Sequence, residues 1–396
     1  MKVKFSECVA YMIKGPFGSD MKKSLYVPKG KDTYKVYVQG NAIQKDENLG
    51  DYYVSSEYFH KKLERFQVHP GDYIITCDGT LGKYIKLSEN VEPGVISSSL
   101  LLLRLDESKI YDKFFELIWD NSMLKYLASQ ARNACLVHLP SAKAIGDVEI
   151  DLPEMSVQRE IADKAFLIKD IVNKRNEEMR LLDELIKARF VELFGSINED
   201  KFPKCTLREV AHIKHGFAFS GEFFSEEANG VVLVTPGNFA LGGGFQEVRN
   251  KYFTSDYPEE YILHAGDLIV TMTDLSKKAD TLGYGAIVPD TGKVYLHNQR
   301  IGLFDQLDER LNPVFVRWYM QTEEYRLEIV RTSTGSTVHH TSPDRILDSV
   351  IYLPPVELQN SFVIFANQVD KSKVAVQKAL NEAQLLFDSL MQKYFG

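Results

Sequence analysis

Two stretches of the chain carry apolar residues at an alternation of four and three positions. In the first, Ile161, Ala165, Ile168, Val172, Met179, Leu182, Ile186 and Leu193 fall on one line, interrupted only by Arg175 and Arg189. In the second, Phe362, Ala366, Val369, Val376, Leu380, Ala383, Phe387, Leu390 and Tyr394 do the same, interrupted at Lys373. A 3.5-residue period held over about five heptads marks a helix that packs along another helix. No glycine or proline falls between Ser156 and Phe194, or between Val356 and Phe395. Each line therefore predicts one unbroken helix of roughly 38 residues, ~57 Å long. Each helix could lie on a globular domain of its own; two matched seams favour mutual cover. The first helix leads away from one domain and delivers the chain to the next, so a second helix that pairs with it must run back. The pair is antiparallel, with a domain at each end.

The remaining pattern is shorter in period. Apolar runs bounded by turn residues predict strands in "YKVYVQ" (Tyr34–Gln39), "GDYIITC" (Gly71–Cys77), "SSLLLLRL" (Ser98–Leu105), "GVVLVTP" (Gly230–Pro236), "GDLIVTM" (Gly266–Met272) and "RIGLFDQL" (Arg300–Leu307). Amphipathic helices are predicted over Lys113–Gln130 and Pro313–Val330. The fold class is α+β: two globular mixed α/β domains, residues 1–152 and 201–353, separated by long antiparallel helices at 153–200 and 354–396.

The order strands, helix, long helix occurs twice because the sequence itself repeats. At a constant offset of 201, Ser141–Gly195 and Ser342–Gly396 align without a gap and share 11 of 55 residues. Ile145, Asp147, Ile150, Leu152, Pro153 and Gln158 recur as Ile346, Asp348, Ile351, Leu353, Pro354 and Gln359, and both copies close on Phe-Gly. Upstream, "VHPGDYIIT" (Val68–Thr76) answers "LHAGDLIVT" (Leu263–Thr271). An internal repeat with a gapless register implies pseudo-twofold organisation.

Composition narrows the class without naming a function. The 396 residues are 44% hydrophobic and 26% charged, as in a soluble globular protein. No run is long and apolar enough to span a bilayer, and the start lacks a signal-peptide core, so a cytoplasmic protein with no membrane partner is expected. The four cysteines have no CxxC spacing, which supports neither zinc nor a disulfide framework. The net charge of −8 is concentrated in the first long helix and the second domain. It permits nucleic-acid binding by a locally basic face without indicating it. No phosphate-binding GxxxxGK[ST] loop, GxSxG elbow or dinucleotide GxGxxG occurs, and the one Pro-Pro is followed by Val, unlike the tetrapeptide of DNA amino-methyltransferases. Nothing in the chain reads as catalytic or as a metal site. His339-His340 is the one histidine pair, and adjacent residues on an extended chain point apart.

What the domains offer is loops of small polar, glycine and basic residues. The candidates are Lys14, Ser19, Asn41, Thr80, Lys83, Arg132 and Asn133 in the first domain. In the second they are Lys214, Asn238, Lys277, Lys278, Asn298, Arg300, Thr337 and His339. Such side chains can read base edges, and glycine amides and hydroxyls can hold phosphates; any one loop alone reads as a solvated turn, and only the set, on two matched domains a fixed distance apart, points to DNA. The helix-pair interface is assigned to Ile161, Ile168, Val172, Met179, Leu182 and Ile186 against Phe362, Val369, Val376, Leu380, Phe387 and Leu390.

Two domains, each followed by Leu-Pro-x-x-x-x-Gln and a long heptad helix ending in Phe-Gly, resemble the specificity (S) subunit of type I restriction-modification enzymes. The resemblance runs the length of the chain. It is carried by Ile351-Tyr352-Leu353-Pro354-Pro355…Gln359, its copy Ile150-Asp151-Leu152-Pro153-Glu154…Gln158, and the turns Gly71-Asp72 and Gly266-Asp267. Glu154 departs from the pattern by replacing the second proline. The resemblance implies that each domain is a target-recognition domain for half of a split, asymmetric site in double-stranded DNA. It implies that the helices set the spacer and dock two methyltransferase (M) subunits, with motor-nuclease (R) subunits joining for restriction. S-adenosylmethionine, ATP and Mg would then belong to the partners, and this chain would hold no cofactor. A rival from another class is a dumbbell-shaped scaffold that holds two protein ligands apart and binds no DNA.

Overall fold

The computed structural model describes residues 1–131, 138–248 and 250–396. The chain divides into two compact units, Met1–Asn176 with Lys378–Gly396, and Glu177–Gln377. Each unit thus takes half of each long helix.

In the first unit a four-stranded antiparallel sheet runs in the order Val9–Lys14, Leu100–Leu105, Tyr73–Thr76, Tyr84–Lys86. A three-stranded sheet, Tyr53–Ser55, Thr33–Tyr37, Gly94–Ile96, has one antiparallel and one parallel pairing. The run of four leucines at Leu100–Leu103 is uniformly apolar because its strand is buried on both faces. Leu101 and Leu103 join a core with Tyr73, Ile75, Phe115 and Trp119. Leu100 and Leu102 face the other way, onto Val36, Ile74 and Val95.

The second unit repeats this plan. Ala211–His215, Ile301–Leu307, Leu268–Thr271 and Gly285–Ile287 form the four-stranded sheet, and Val231–Val234 pairs in parallel with Val294–His297 inside a five-stranded one. In both units a short antiparallel clip ties the start of the domain to the strand before the Leu-Pro phrase: Lys2–Lys4 to Glu149–Asp151, and Lys204–Thr206 to Val350–Tyr352. The Gly-Asp turns also match. Gly71 and Gly266 take positive φ (81° and 93°), and the carboxylates of Asp72 and Asp267 accept from the amides of His69 (2.7 Å) and His264 (2.8 Å).

Both long helices are continuous, Met155–Phe194 and Val356–Phe395. Their antiparallel course is visible inside each unit. In the first, Ile161, Ala162 and Ala165 near the start of one helix share a core with Phe387, Leu390 and Met391 near the end of the other. In the second, Ile186, Phe190 and Phe194 share a core with Phe362, Ala366 and Val369. Ile168 and Val376 are buried, and Val172, Met179, Leu182 and Leu380 are half-buried. Lys373, the break in the second seam, donates to Asp183 across the pair at 2.6 Å.

The strict seam fails at the helix ends. Leu193 is only half-buried and Tyr394 is exposed, whereas Phe190 and Phe194 are buried and Phe395 is half-buried. Ile186, Phe190 and Phe194 step by fours because the helix end packs on a domain as well as on a partner helix. Phe194 lies 4.9 Å from Phe315, and Phe395 lies 5.7 Å from Phe114, equivalent contacts at the offset of 201.

Two expectations need correction. Pro313–Val330 is two helices, Pro313–Tyr319 and Glu323–Thr332. The backbone at Thr322 is extended and its hydroxyl donates to Tyr319 O at 2.8 Å, and two acidic residues then open the second helix. Gln39–Gln44, expected as a loop, is a short helix.

The repeated glutamine has a defined job. Gln158 is 1% exposed; its Oε1 accepts from the Tyr111 amide at 2.8 Å, and its Nε2 donates to the carbonyls of Lys109 and Pro153, both at 2.9 Å. Gln359 is fully buried and does the same with the Asn312 amide (2.9 Å) and the carbonyls of Arg310 and Pro354 (both 2.8 Å). Replacing Gln359 by Ala strands a backbone donor and two acceptors and is expected to cost about 2–4 kcal/mol in denaturant unfolding. Gln359→Glu is not a rescue, because a carboxylate cannot donate to two carbonyls. A change below about 0.5 kcal/mol in both variants contradicts the clamp.

Candidate nucleic-acid interface

Strand register collects the candidate loops at one end of each domain. In the first unit Lys14 pairs with Leu101, Thr76 with Leu100 and Ile75 with Tyr84. The loops after Lys14 and Thr76 and the turn before Leu100 are therefore neighbours. In the second unit His215 pairs with Gly302, Thr271 with Ile301 and Val270 with Gly285, which gathers the equivalent loops. The glutamine clamps grip the chain after the far ends of the same central strands, at Lys109–Tyr111 and Arg310–Asn312. The loops thus occupy the end of each sheet that the long helices leave free.

In the first unit Thr80 and Lys83 are exposed on one loop, and its frame is Thr76. The Thr76 hydroxyl donates to Thr80 O and accepts from the Lys83 amide. Ser19 is exposed on the neighbouring loop. Lys14 is half-buried and its ammonium donates to Leu139 O, which stitches its strand to the segment after residue 137. Beside it His138 pairs with Asp78 at 2.6 Å, and the Gln39 amide donates to Asp78 O at 3.0 Å. Arg132 and Asn133 lie outside the described residues.

In the second unit Lys277, Lys278 and Arg300 are exposed. The loop that carries the two lysines is built on Asp274, which is 4% exposed. Its carboxylate accepts from the amides of Ser276 and Thr281 and from the Thr281 hydroxyl. Burial opposes its ionisation, and these donors outweigh burial and hold its pKa below the ordinary carboxylate value. His339 and His340 form a short strand against Thr273–Asp274, and His339 Nε2 lies 3.4 Å from Lys277 O, bringing His339 to the lysine loop. Thr337 is exposed just before this strand. Lys214 is set apart from these residues, its ammonium on Glu260 O at 2.7 Å and 4.6 Å from the Tyr261 ring centre.

Three asparagine assignments change. Asn41 is fully buried; its Oδ1 accepts from the Val38 amide and its Nδ2 donates to the carbonyls of Asp46 and Leu49. Asn238 is fully buried in the equivalent place, accepting from the Thr235 amide and donating to Gln246 O. Both shape the chain after a strand and present nothing to a base edge. The sequence signal was a Gly-Asn dipeptide at Gly40-Asn41 and again at Gly237-Asn238. Asn298 is 5% exposed and its Oδ1 accepts from the Arg300 amide, so it shapes the turn that exposes Gln299 and Arg300. At the offset of 201 this turn corresponds to Ser97–Ser99. The frame is shared and the exposed chemistry differs.

No protein-family model matches the chain. Its sequence is similar to the specificity subunit of the type I restriction enzyme MjaVIII of Methanocaldococcus jannaschii, 24% identical over 385 residues that cover 87% of each protein. It is also similar to the EcoBI specificity subunit of Escherichia coli, 25% identical over 183 residues, 45% of this chain and 35% of that one. Its fold is similar to a type I restriction-modification S subunit from M. genitalium, with a TM-score of 0.58, 14% identity, and 100% and 96% of the two chains covered. A chain from a structure concerned with complex assembly and conformational transition of the type I system gives a TM-score of 0.55 at 14% identity, covering 100% of this chain and 97% of that one. The resemblance to type I specificity subunits holds in sequence and in fold. No helix among the described residues is long and apolar enough to cross a membrane.

His297 lies under the Asn298 turn and makes the stability of the fold depend on pH. It is 1% exposed, its Nε2 is 2.8 Å from Ile301 O, and its Nδ1 has no partner. Burial pushes its pKa down to about 4, from an ordinary 6.5. The folded state therefore favours the neutral ring. That stabilisation is complete above about pH 6.5 and is lost as pH falls toward about 4. Unfolding of the full chain and of His297→Gln, followed from pH 7 to 4, should show the gap in stability narrowing as pH falls; a constant gap contradicts the assignment.

Proposed function

We propose that the chain is the specificity subunit of a type I restriction-modification enzyme. Residues 1–152 and 201–353 are its target-recognition domains, each reading one half of a split, asymmetric site in double-stranded DNA. The helices at 153–200 and 354–396 set the spacer between the halves and dock two methyltransferase subunits, and motor-nuclease subunits join for restriction. The chain itself is not catalytic. Adenine methylation with S-adenosylmethionine, and cleavage driven by ATP with Mg, belong to the partners, and the complex works in the cytoplasm, where the DNA is.

The observation that carries this reading is the duplicated frame with unlike loops at its free end. Unlike loops on matched domains suit a reader whose two half-sites differ in sequence, and salt-dependent DNA affinity separates that reader from a scaffold for two protein ligands. Within the second domain the exposed Lys277 and Lys278, on a loop stapled by Asp274, suit phosphate contacts that position the duplex without reading it. Arg300, at an exposed turn, suits a base contact.

The test is binding of duplex DNA by the chain assembled with its methyltransferase, as a function of salt. Replacing Lys277 and Lys278 by Ala should weaken binding to all sequences and reduce the salt slope by about 1–2. Replacing Arg300 should relax preference in one half-site alone. The absence of salt-dependent affinity in the unaltered complex favours the DNA-free scaffold and overturns the proposal.

A further inference from the structure

We propose that Phe17 and Phe217 are apolar wedges that enter the stack of DNA bases, one in each half-site; this rests on the DNA-reading function proposed above. Both rings sit on the loop that follows the first strand of the four-stranded sheet, at the free end of their domain. Each loop begins with a glycine, Gly15 and Gly216, at the offset of 201. A Cβ added to Gly15 would stand 1.9 Å from Ser97 O, and one added to Gly216 would stand 2.2 Å from Asn298 O. The loop backbone is therefore pressed onto the turn that exposes Gln299 and Arg300 in the second domain and Ser98 in the first. Hydrogen bonds fix it there, from the Gly15 amide to Leu100 O and from the Phe217 amide to His297 O, both 2.8 Å.

Past the glycine each loop turns a phenyl ring outward. Phe17 is 79% exposed and Phe217 is 39% exposed, while Pro16 and Phe219 beside them are buried. Phe17 holds a large apolar ring in water on a pinned backbone, and Phe217 keeps over a third of its surface exposed above the rings it packs on. The surroundings of the two rings select the ligand. Lys22 and Lys23 are exposed five and six residues after Phe17, and Arg300 is exposed next to Gln299, whose amide donates to Phe217 O. An apolar tip with cationic flanks fits an unstacked base step between phosphates better than it fits an apolar protein groove. Behind Phe217, the rings of Phe219 (5.0 Å) and Tyr261 (5.2 Å) form a rigid backing.

The test uses the full chain with its methyltransferase subunit and a library of random-sequence duplexes, from which bound DNA is selected. Phe17→Ala should flatten preference at one or two positions of one half-site and weaken binding to the selected site roughly 5–100-fold. Phe217→Ala should do so in the other half, and Phe17→Leu should retain most of the affinity. A two-part motif selected by the unaltered protein that survives both alanine variants overturns the wedge and leaves the DNA-reading function standing. Selection of no motif by the unaltered protein overturns both. Loss of the methyltransferase from the Phe17→Ala or Phe217→Ala complex, seen by mass with DNA preference intact, assigns the ring to a protein contact and overturns the wedge.

Discussion

One side-chain amide, used twice, fixes how each long helix leaves its domain. Gln158 and Gln359 each sit in the first turn of a long helix and use donor and acceptor to hold the backbone before the domain's own helix and the carbonyl of the Leu-Pro proline. Three bonds to backbone leave little freedom in the angle at which helix and domain meet, and a buried amide is costly to leave unmatched. The clip between the domain's start and the strand before Leu-Pro works at the same junction. If the helices set a spacer, this junction is where the setting is made.

The second consequence of the repeat is that neither copy closes its own core. Phe194 ends the helix of the first copy and packs on Phe315 of the second, and Phe395 ends the second and packs on Phe114 of the first. Each compact unit is therefore completed by the far end of the other copy's helix. The frame is under this mutual constraint, while the loops at the free end of each sheet are not. That division explains why Gly15 matches Gly216 and Asn41 matches Asn238, whereas Ser97–Ser99 corresponds to Asn298–Arg300.

Much of this was legible in the sequence because the signals were long or repeated. The heptad lines gave both helices, and the central strands were marked by apolar runs with turn residues at their ends. The gapless offset exposed the duplication. What escaped depended on three-dimensional context. Asn41 and Asn238 read as loop residues open to a ligand, since nothing local distinguishes an asparagine that bonds outward from one that bonds inward. The break at Thr322 was hidden because the apolar spacing continues across it. The helix ends left the 3.5 period because Phe190 and Phe194 pack on a domain, which a two-helix template does not contain. The exposure of Phe17 and Phe217 is not written in their sequence neighbours, several of which are buried.

On the proposed function, the chain is one recogniser with one arm, written twice, each copy completed by the other. This is tested most directly by a chain ending at Gly195, expressed with the methyltransferase, weighed, and mapped for the DNA positions it methylates. Its Phe194 has no second domain to enter, and its seam through Ile161, Ile168 and Ile186 has no second helix. Two such chains should pair as true twofold partners and methylate a palindromic split site. A monomeric fragment, or methylation at a non-palindromic site, contradicts it.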